Sequence, residues 1–163
     1  MERRLIVMRH AQAGRGDGST SDHDRPLTDK GRREAVEIAE RLVELGWVPG
    51  RVLASDAVRT RQTFEAMEST LQPTPSVSYD NSLYLAGVDA AHRALVDVDD
   101  EITDVLLLGH NPGWQAVVSY FGGTRQRLTT ANAALLHTTA DSWDDAANSG
   151  NFELIQVLRP RSL

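Results

Sequence analysis

The chain has 163 residues, of which 40% are hydrophobic and 25% are charged, and this is the composition of one globular domain spanning residues 1–163. It contains no cysteine, which excludes disulfides, thiol nucleophiles and cysteine-based metal sites. Its 17 Lys and Arg residues against 23 Asp and Glu residues give a net charge of -6, which disfavours general binding to nucleic acid because the phosphate backbone requires a basic surface.

The first half of the chain alternates short apolar runs with helical patterns. Residues 5–8 form a fully apolar run, typical of a strand buried on both faces. A loop rich in Gly, Ser and Asp follows. Thr28 is then predicted to cap a helix whose apolar residues recur every three or four positions as far as Leu45, and Gly46 follows its end. Residues 51–54 predict a second strand, and Ser55 and Asp56 are candidate caps of a helix that extends to about residue 71.

The second half of the chain continues the alternation. Residues 77–79 predict a brief strand, residues 90–98 a helix, and residues 105–108 a third fully apolar strand. Pro112 suits the first position of a helix that extends through Tyr120. Two late strands are expected at residues 131–138 and 152–158, and the polar residues 140–150 between them predict a turn.

This alternation predicts an α/β fold, a three-layer α/β/α sandwich with a mostly parallel central sheet. Ligands bind beyond the carboxyl ends of the strands in such sheets. One predicted strand is followed by Arg9 and His10, a second by Arg59 and a third by His110. We therefore expect these four side chains to meet at one edge of the sheet.

Two arginines and two histidines at one edge of a sheet predict a phosphate pocket. A guanidinium offers paired donors that match phosphate oxygens, and the free N–H groups of the helix that opens after Asn111 would add further donors. A neutral histidine can attack phosphorus and carry the phosphoryl group covalently. The arginines and the second histidine would then stabilise the charge that develops on the phosphoryl oxygens.

Four motifs occur in order along nearly the whole chain. R-H-A-Q-A begins at Arg9, R-P-L-T-D-K-G at Arg25, S-D-A-V-R-T-R-Q-T at Ser55 and G-H-N-P-G at Gly109. In this order and spacing they resemble the phosphoglycerate mutase-like histidine phosphatase superfamily. The short chain and the last motif look most like its small SixA-type phosphohistidine phosphatases. The resemblance implies a phosphoglycerate mutase-like fold and a phosphatase that uses no cofactor.

The resemblance also implies roles for the residues that match the motifs. His10 is implied as the nucleophile, which becomes transiently phosphorylated. Arg9 and Arg59 would hold the phosphoryl oxygens, and His110 would form a hydrogen bond with the same group. A metal site formed by the two histidines is disfavoured, because the neighbouring arginines would repel a divalent cation.

Further candidates surround these four residues. Arg25 and Asn111 are candidate substrate-binding residues. Many members of the resembled family carry a glutamate as the general acid in an S-L-x-E segment, and here Leu85 stands at that position. Asp22 or Asp24 are candidates to replace that acid.

The missing glutamate favours a labile substrate. The P–N bond of phosphohistidine breaks without the proton that an alkoxide leaving group needs, and such proton donation is worth typically 10²–10⁴-fold. Since a protonated His10 could not attack, we also expect the rate to fall between about pH 8 and about pH 5 as His10 protonates.

Three functions remain open. The first is a phosphatase that acts on protein phosphohistidine, for example on a histidine phosphotransfer domain. The second is a phosphatase that acts on a small-molecule or nucleotide phosphate ester in the same pocket. The third, of another class, is a phosphate-binding or interaction module without turnover.

The sequence also predicts the location and the oligomeric state of the protein. The first apolar run has only four residues, whereas the hydrophobic region of a signal peptide needs about 7–15 residues and a membrane helix about 20. We expect a cytoplasmic protein that does not bind membranes, and its size suits a monomer.

Overall fold

A single mixed sheet forms the centre of the computed structural model, which describes residues 1–149 and 152–161. Its strands within the described residues are β1 (Glu2–Arg9), β2 (Arg51–Ser55), β3 (Ser76–Asp80), β4 (Asp104–Gly109), β5 (Ala133–Thr139) and β6 (Glu153–Leu158). They lie in the order β3-β2-β4-β1-β5-β6. The four strands from β3 to β1 are parallel, and β5 and β6 add an antiparallel edge. The predicted mostly parallel sheet is confirmed.

Helices cover both faces of this sheet. In the described part of the chain they are α1 (Asp29–Glu44), α2 (Val58–Glu68), α3 (Val88–Val96), α4 (Gly113–Gly122) and α5 (Trp143–Ser149). Ile6 and Met8 of β1 belong to the core shared with α1 and α2, whereas Leu5 and Val7 belong to the core shared with α3, α4 and α5. Successive strand residues point to opposite faces, so a strand covered on both sides must be apolar throughout. This is the predicted three-layer α/β/α sandwich.

The start of α1 secures the loop that follows β1. The Thr28 hydroxyl accepts a hydrogen bond from the N–H of Gly31 at 3.0 Å, which confirms the predicted cap. The Thr28 N–H also donates to the carbonyl of Gln12 at 3.0 Å. The helix therefore holds a segment only two residues from His10. Beyond the helix, Gly46 adopts a left-handed φ of 75°, as expected for the residue after a helix end.

The expected capping of α2 is wrong. The helix begins at Val58, its N-cap residue is Ala57, and no side chain of the described residues caps it. Ser55 is instead the last residue of β2, and its hydroxyl hydrogen-bonds to His110. The helix ends at Glu68, a few residues before the predicted end.

The turn expected over residues 140–150 is also wrong, because α5 occupies most of it; residue 150 lies outside the described residues. Trp143, Ala146 and Ala147 recur at helical spacing and are fully buried in the core with α3 and α4. The Ser142 hydroxyl accepts a hydrogen bond from the N–H of Asp145 at 3.0 Å and caps the helix. Tertiary packing of three apolar residues outweighs the polar composition of the segment.

No helix in the described ranges has the length and apolar character needed to cross a membrane.

Replacing Gly31 with alanine should destabilise the protein. A Cβ at Gly31 would lie 2.2 Å from the backbone oxygen of Gln12, which cannot move by a side-chain rotation. Gly to Ala inside a helix normally stabilises by about 1 kcal/mol. Here we expect a loss of about 1–3 kcal/mol from overpacking, measured by urea denaturation. The matched control is Gly18→Ala, because no atom of the described residues lies within 4 Å of a Cβ there. Equal or higher stability of Gly31→Ala would contradict the close contact.

Candidate active site

The carboxyl ends of β1, β2 and β4 bring the two motif histidines together. Arg9 and Gly109 are paired across β1 and β4, so the residues that follow them, His10 and His110, lie side by side. Their ring centroids are 5.2 Å apart. Both are buried, with 6% exposure for His10 and 1% for His110.

The backbone around His10 sets which ring nitrogen is free. Nδ1 of His10 lies 2.7 Å from the carbonyl oxygen of Ala11, which can only accept, so Nδ1 carries the proton and donates it. The lone pair of the neutral ring is therefore on Nε2, which makes Nε2 the atom able to attack phosphorus. The Ala131 N–H contacts the carbonyl oxygens of both Arg9 and His10, at 3.1 and 3.0 Å, and clamps the backbone at this point.

Burial keeps His10 neutral. Desolvation is the main cause that lowers the pKa of His10 to about 3, and the hydrogen bond to Ala11 opposes this shift. Electrostatic repulsion from His110, Arg59 and Arg9 lowers the pKa further. Protonation of free His10 thus lies well below the range from about pH 5 to about pH 8. The expected loss of rate at low pH stays a prediction for the enzyme with bound phosphate, because the negative charge of that group would raise the pKa of His10 again.

His110 is positioned by a residue that sequence reasoning had assigned only as a helix cap. The Ser55 hydroxyl lies 2.7 Å from Nε2 of His110, and Oγ also accepts from the N–H of Ala57 at 3.1 Å. We assign the serine proton to the bond with Nε2, which leaves Nδ1 of His110 as an N–H donor. Burial lowers the pKa of His110 to about 4, and the charge of Arg59 adds to the effect.

Three buried donors at this site have no hydrogen-bond partner among the described residues: Nε of Arg9, Nε of Arg59 and Nδ1 of His110. Buried donors are almost always paired, since each unpaired one costs about 1–3 kcal/mol. A tetrahedral oxyanion beside His10 would supply acceptor oxygens for such donors. The burial and mutual repulsion of Arg9 and Arg59 also lower the pKa of Arg9, as expected for cations gathered without enough counter-charge.

Asp22 partly neutralises this cluster. Its backbone oxygen accepts from Nη1 of Arg59 at 2.7 Å, and its carboxylate accepts from Nη2 of Arg59 at 3.1 Å and from Nε of Arg25 at 3.1 Å. The Tyr84 hydroxyl donates a hydrogen bond to the same carboxylate. This bond, with the charges of Arg59 and Arg25, lowers the pKa of Asp22 to about 2. Asp22 is therefore an ionised carboxylate in this arrangement.

Tyr84 is a site residue that sequence reasoning missed. Its ring packs nearly perpendicular to the rings of His110 and His23, with centroids 5.5 and 4.9 Å apart, and the Arg59 guanidinium lies 5.9 Å from its centre. Sequence reasoning considered its segment only for the absent glutamate at Leu85. The feature of the sequence that could have identified Tyr84 is its place directly before the position of that glutamate.

Two motif residues hold the loops that carry the site. The side-chain oxygen of Gln62 accepts from the N–H of Leu27 at 2.8 Å, and the hydroxyl of Thr63 accepts from the N–H of Ala11 at 3.0 Å. The Thr63 hydroxyl in turn donates to the carbonyl oxygen of Arg59 at 2.7 Å. The Q-T pair thus joins α2 to the segments that follow β1.

The remaining candidates lie around this centre in different ways. Arg25 reaches it through Asp22 and also donates to the carbonyl oxygen of Gly14 at 3.2 Å. The Asp24 side chain is 67% exposed and lies 3.4 Å from His23, so the structure does not bring it to the arginines. The Asn111 amide donates to Leu128, as described below. Among the described residues, no three His, Asp or Glu side chains are grouped so that they could hold a metal ion.

We expect the site histidines to titrate in an unusual order. Asp56 accepts a hydrogen bond from His23 and raises the pKa of that residue, whereas His10 and His110 have pKa values of about 3 and about 4. Ring ¹H–¹⁵N NMR should show His23 protonating above pH 6.5 and the other two below about pH 5. Spectra of His10→Ala and His110→Ala assign the signals, and circular dichroism shows where the fold persists. A His10 midpoint near 6.5 would contradict the burial argument.

Known proteins resemble this chain in sequence and in fold. Residues 5–83 match a sequence model of the histidine phosphatase superfamily, branch 1. A candidate phosphohistidine phosphatase SixA from Nakamurella multipartitia has a structure that superposes with a TM-score of 0.87 at 30% identity, covering 99% of this chain and 98% of that one. A protein histidine phosphatase SixA complexed with tungstate superposes with a TM-score of 0.81 at 27% identity, covering 96% and 97%.

A second kind of relative, compared by its sequence alone, also matches almost the whole chain. An uncharacterised chloroplastic protein of Arabidopsis thaliana is 34% identical over 174 residues, which is 99% of this chain and 80% of the relative. The family match and the two SixA structures agree with one another. This chain belongs to the histidine phosphatase superfamily, with the SixA-like fold and the phosphatase activity that this membership supports.

Proposed function

We propose that the protein removes the phosphoryl group from phosphohistidine on another protein, with His10 as the nucleophile and without a cofactor. The observation that carries this proposal is the set of three buried donors around a neutral His10 that find no partner within residues 1–149 and 152–161. Arg9, Arg59 and His110 would then hold the phosphoryl oxygens. The SixA protein that was solved with tungstate, a tetrahedral oxyanion, supports a pocket of this kind.

The tautomer of His10 suits a covalent intermediate. Nε2 attacks phosphorus as the P–N bond of the substrate breaks, and the electron pair of that bond returns to the leaving imidazole. If the other nitrogen of that ring is protonated, it leaves as a neutral imidazole. Phospho-His10 keeps its proton on Nδ1, where the Ala11 carbonyl oxygen accepts it at 2.7 Å and stabilises the positive ring.

The same proton allows the second step. A water molecule attacks phosphorus, the bond to Nε2 breaks, and its electron pair returns to the His10 ring. Because Nδ1 already carries a proton, His10 leaves as a neutral imidazole without a further proton. Phosphate is released, and the second proton of the water passes to phosphate or solvent. Both leaving groups are thus nitrogen bases that need no acid from the enzyme.

The state of Asp22 also favours such a substrate. An ester needs a protonated acid for its leaving oxygen, but the resting Asp22 is ionised. A phosphoryl group bound to Arg59 would displace the Asp22 carboxylate and place negative charge beside it, which raises its pKa. Asp22 as a general acid stays a prediction, and it matters most for substrates with poorer leaving groups. A phosphorylated protein partner, a cytoplasmic location and a monomeric state likewise stay predictions.

The first test is a turnover assay with a chelator present. A histidine phosphotransfer domain phosphorylated with phosphoramidate is compared with a panel of sugar phosphates and nucleotides. We expect preference for phosphohistidine, and acid-labile, base-stable label on the wild-type enzyme after rapid quenching. His10→Ala should lower kcat/KM by roughly 10³-fold or more and abolish the label.

Two other results of this assay would support the alternative functions. Preference for a sugar phosphate or nucleotide would replace the substrate while His10 stays the nucleophile. Phosphate binding without any turnover, equal in the wild type and His10→Ala, would show a binding module. His10→Arg is avoided, since a new cation would itself change phosphate binding.

Asp22→Asn should separate anion binding from proton transfer. The change removes a negative charge that competes with the phosphoryl group for Arg59, so tungstate should bind about fivefold tighter, equivalent to about 1 kcal/mol for one like charge. Calorimetric titration measures this. Turnover of aryl phosphates with good leaving groups should change less than turnover of alkyl phosphates.

Asp24→Asn is the matched control, because Asp24 lies in the same loop and contacts His23 rather than the arginines. Its tungstate affinity should equal that of the wild type. Weaker tungstate binding by Asp22→Asn than by this control would show that Asp22 supports the anion site instead of competing for it.

A further inference from the structure

A second concave surface lies beside the candidate active site. It has a volume of about 450 Å³ and is lined by one side of α4 and by the loop after it, including Gln115, Ser119, Arg125 and Arg127. We call it the basic groove. None of its lining residues was among the candidates drawn from the sequence.

The basic groove and the active site share a wall. The side-chain oxygen of Gln115 accepts hydrogen bonds from the Leu128 N–H at 2.9 Å and from the Asn111 amide at 3.0 Å. The carbonyl oxygen of Leu128 in turn accepts from the Asn111 amide at 2.7 Å and from Nη1 of Arg9 at 3.2 Å. A partner in the groove would thus touch the loop that anchors Arg9.

The charge of the groove is opposite to that of the whole chain. Arg125 and Arg127 are exposed, and neither guanidinium forms an ion pair or a hydrogen bond within the described ranges. The chain as a whole carries a net charge of -6. An acidic protein would therefore be repelled by the net charge of the chain and attracted to the basic groove. This attraction steers its encounter toward the active site.

We propose that the basic groove binds acidic side chains that flank the phosphohistidine of the substrate protein. The inference rests on the proposed function and adds a specificity element to it. A carboxylate pairs with a guanidinium through two parallel hydrogen bonds, and the two arginines can bind two such side chains. The groove binds the residues that flank the phosphohistidine, while Arg9, Arg59 and His110 hold the phosphoryl group.

The test compares two synthetic phosphohistidine peptides that differ only in the flanking residues, glutamates in one and glutamines in the other. At low ionic strength we expect wild-type kcat/KM to be about tenfold higher for the glutamate peptide, and Arg125→Glu with Arg127→Glu to abolish or invert this preference. The preference should shrink at about 0.15 M salt, where the screening length falls to about 8 Å.

Two controls separate docking from damage to the active site. Arg33→Glu reverses one charge at an exposed position of α1, on the opposite face of the sheet, and should keep the preference; Arg125→Glu alone and Arg127→Glu alone are the single reversals to compare with it. Phosphoramidate carries no flanking residues, so its kcat/KM should stay within about twofold in the double variant. Thermal melting shows that each variant is folded.

The outcomes are distinct. If the wild type hydrolyses both peptides equally, or if the double variant keeps the preference, the basic groove does not bind the flanking side chains. The inference is then overturned and the proposed function stays intact. An equal loss for phosphoramidate would show that the arginines act on the phosphoryl group itself, which also overturns the inference. If the wild type hydrolyses neither peptide but does hydrolyse small phosphate esters, the proposed function is wrong and the groove loses its substrate. Strong inhibition by a small bisphosphate that the double variant escapes would assign the groove to a second phosphate instead of carboxylates.

Discussion

The site depends on one constraint, the burial of cationic and N–H donor groups at a sheet edge that offers them too few acceptors. Parallel pairing of β1 with β4 sets His10 beside His110, and β2 and α2 add Ser55 and Arg59. Removing these groups from water lowers the pKa values of both histidines, and it leaves three donors without a partner in the part of the chain that the structure describes. The unmet demand for acceptors suits the edge to an anion, and the same burial keeps His10 neutral.

Asp22 shows how the protein tolerates this arrangement without a bound anion. Its carboxylate is half-exposed and accepts from two arginines and from Tyr84, so it partly fills the role that a phosphoryl group would take. Since Asp22 belongs to the loop after β1, it can leave without disturbing the strands. Anion binding and the protonation state of this carboxylate are thus coupled through Arg59. The basic groove is linked to the other arginine, Arg9, through Leu128.

Much of the fold could be predicted from local pattern. Residues 5–8 and 105–108 are apolar throughout because strands covered on both faces must be, and Thr28 caps α1 through a hydroxyl three residues from its partner N–H. The end of each strand, and hence the meeting of His10 with His110, followed from the same pattern and from parallel topology. The helix over Trp143–Ser149 did not, because its stability comes from packing against α3 and α4 rather than from its own composition.

The sequence by itself determined the fold class, the family resemblance and which residue types carry the chemistry, since these depend on local periodicity and on motif order. Only the tertiary structure decided which side chains complete the site. Tyr84 meets Asp22 across 62 residues and Ser55 meets His110 across 55. It also decided that His10 is neutral with its lone pair on Nε2. Hydrogen-bond partners and desolvation depend on what surrounds a group in space, and a linear pattern does not contain that information.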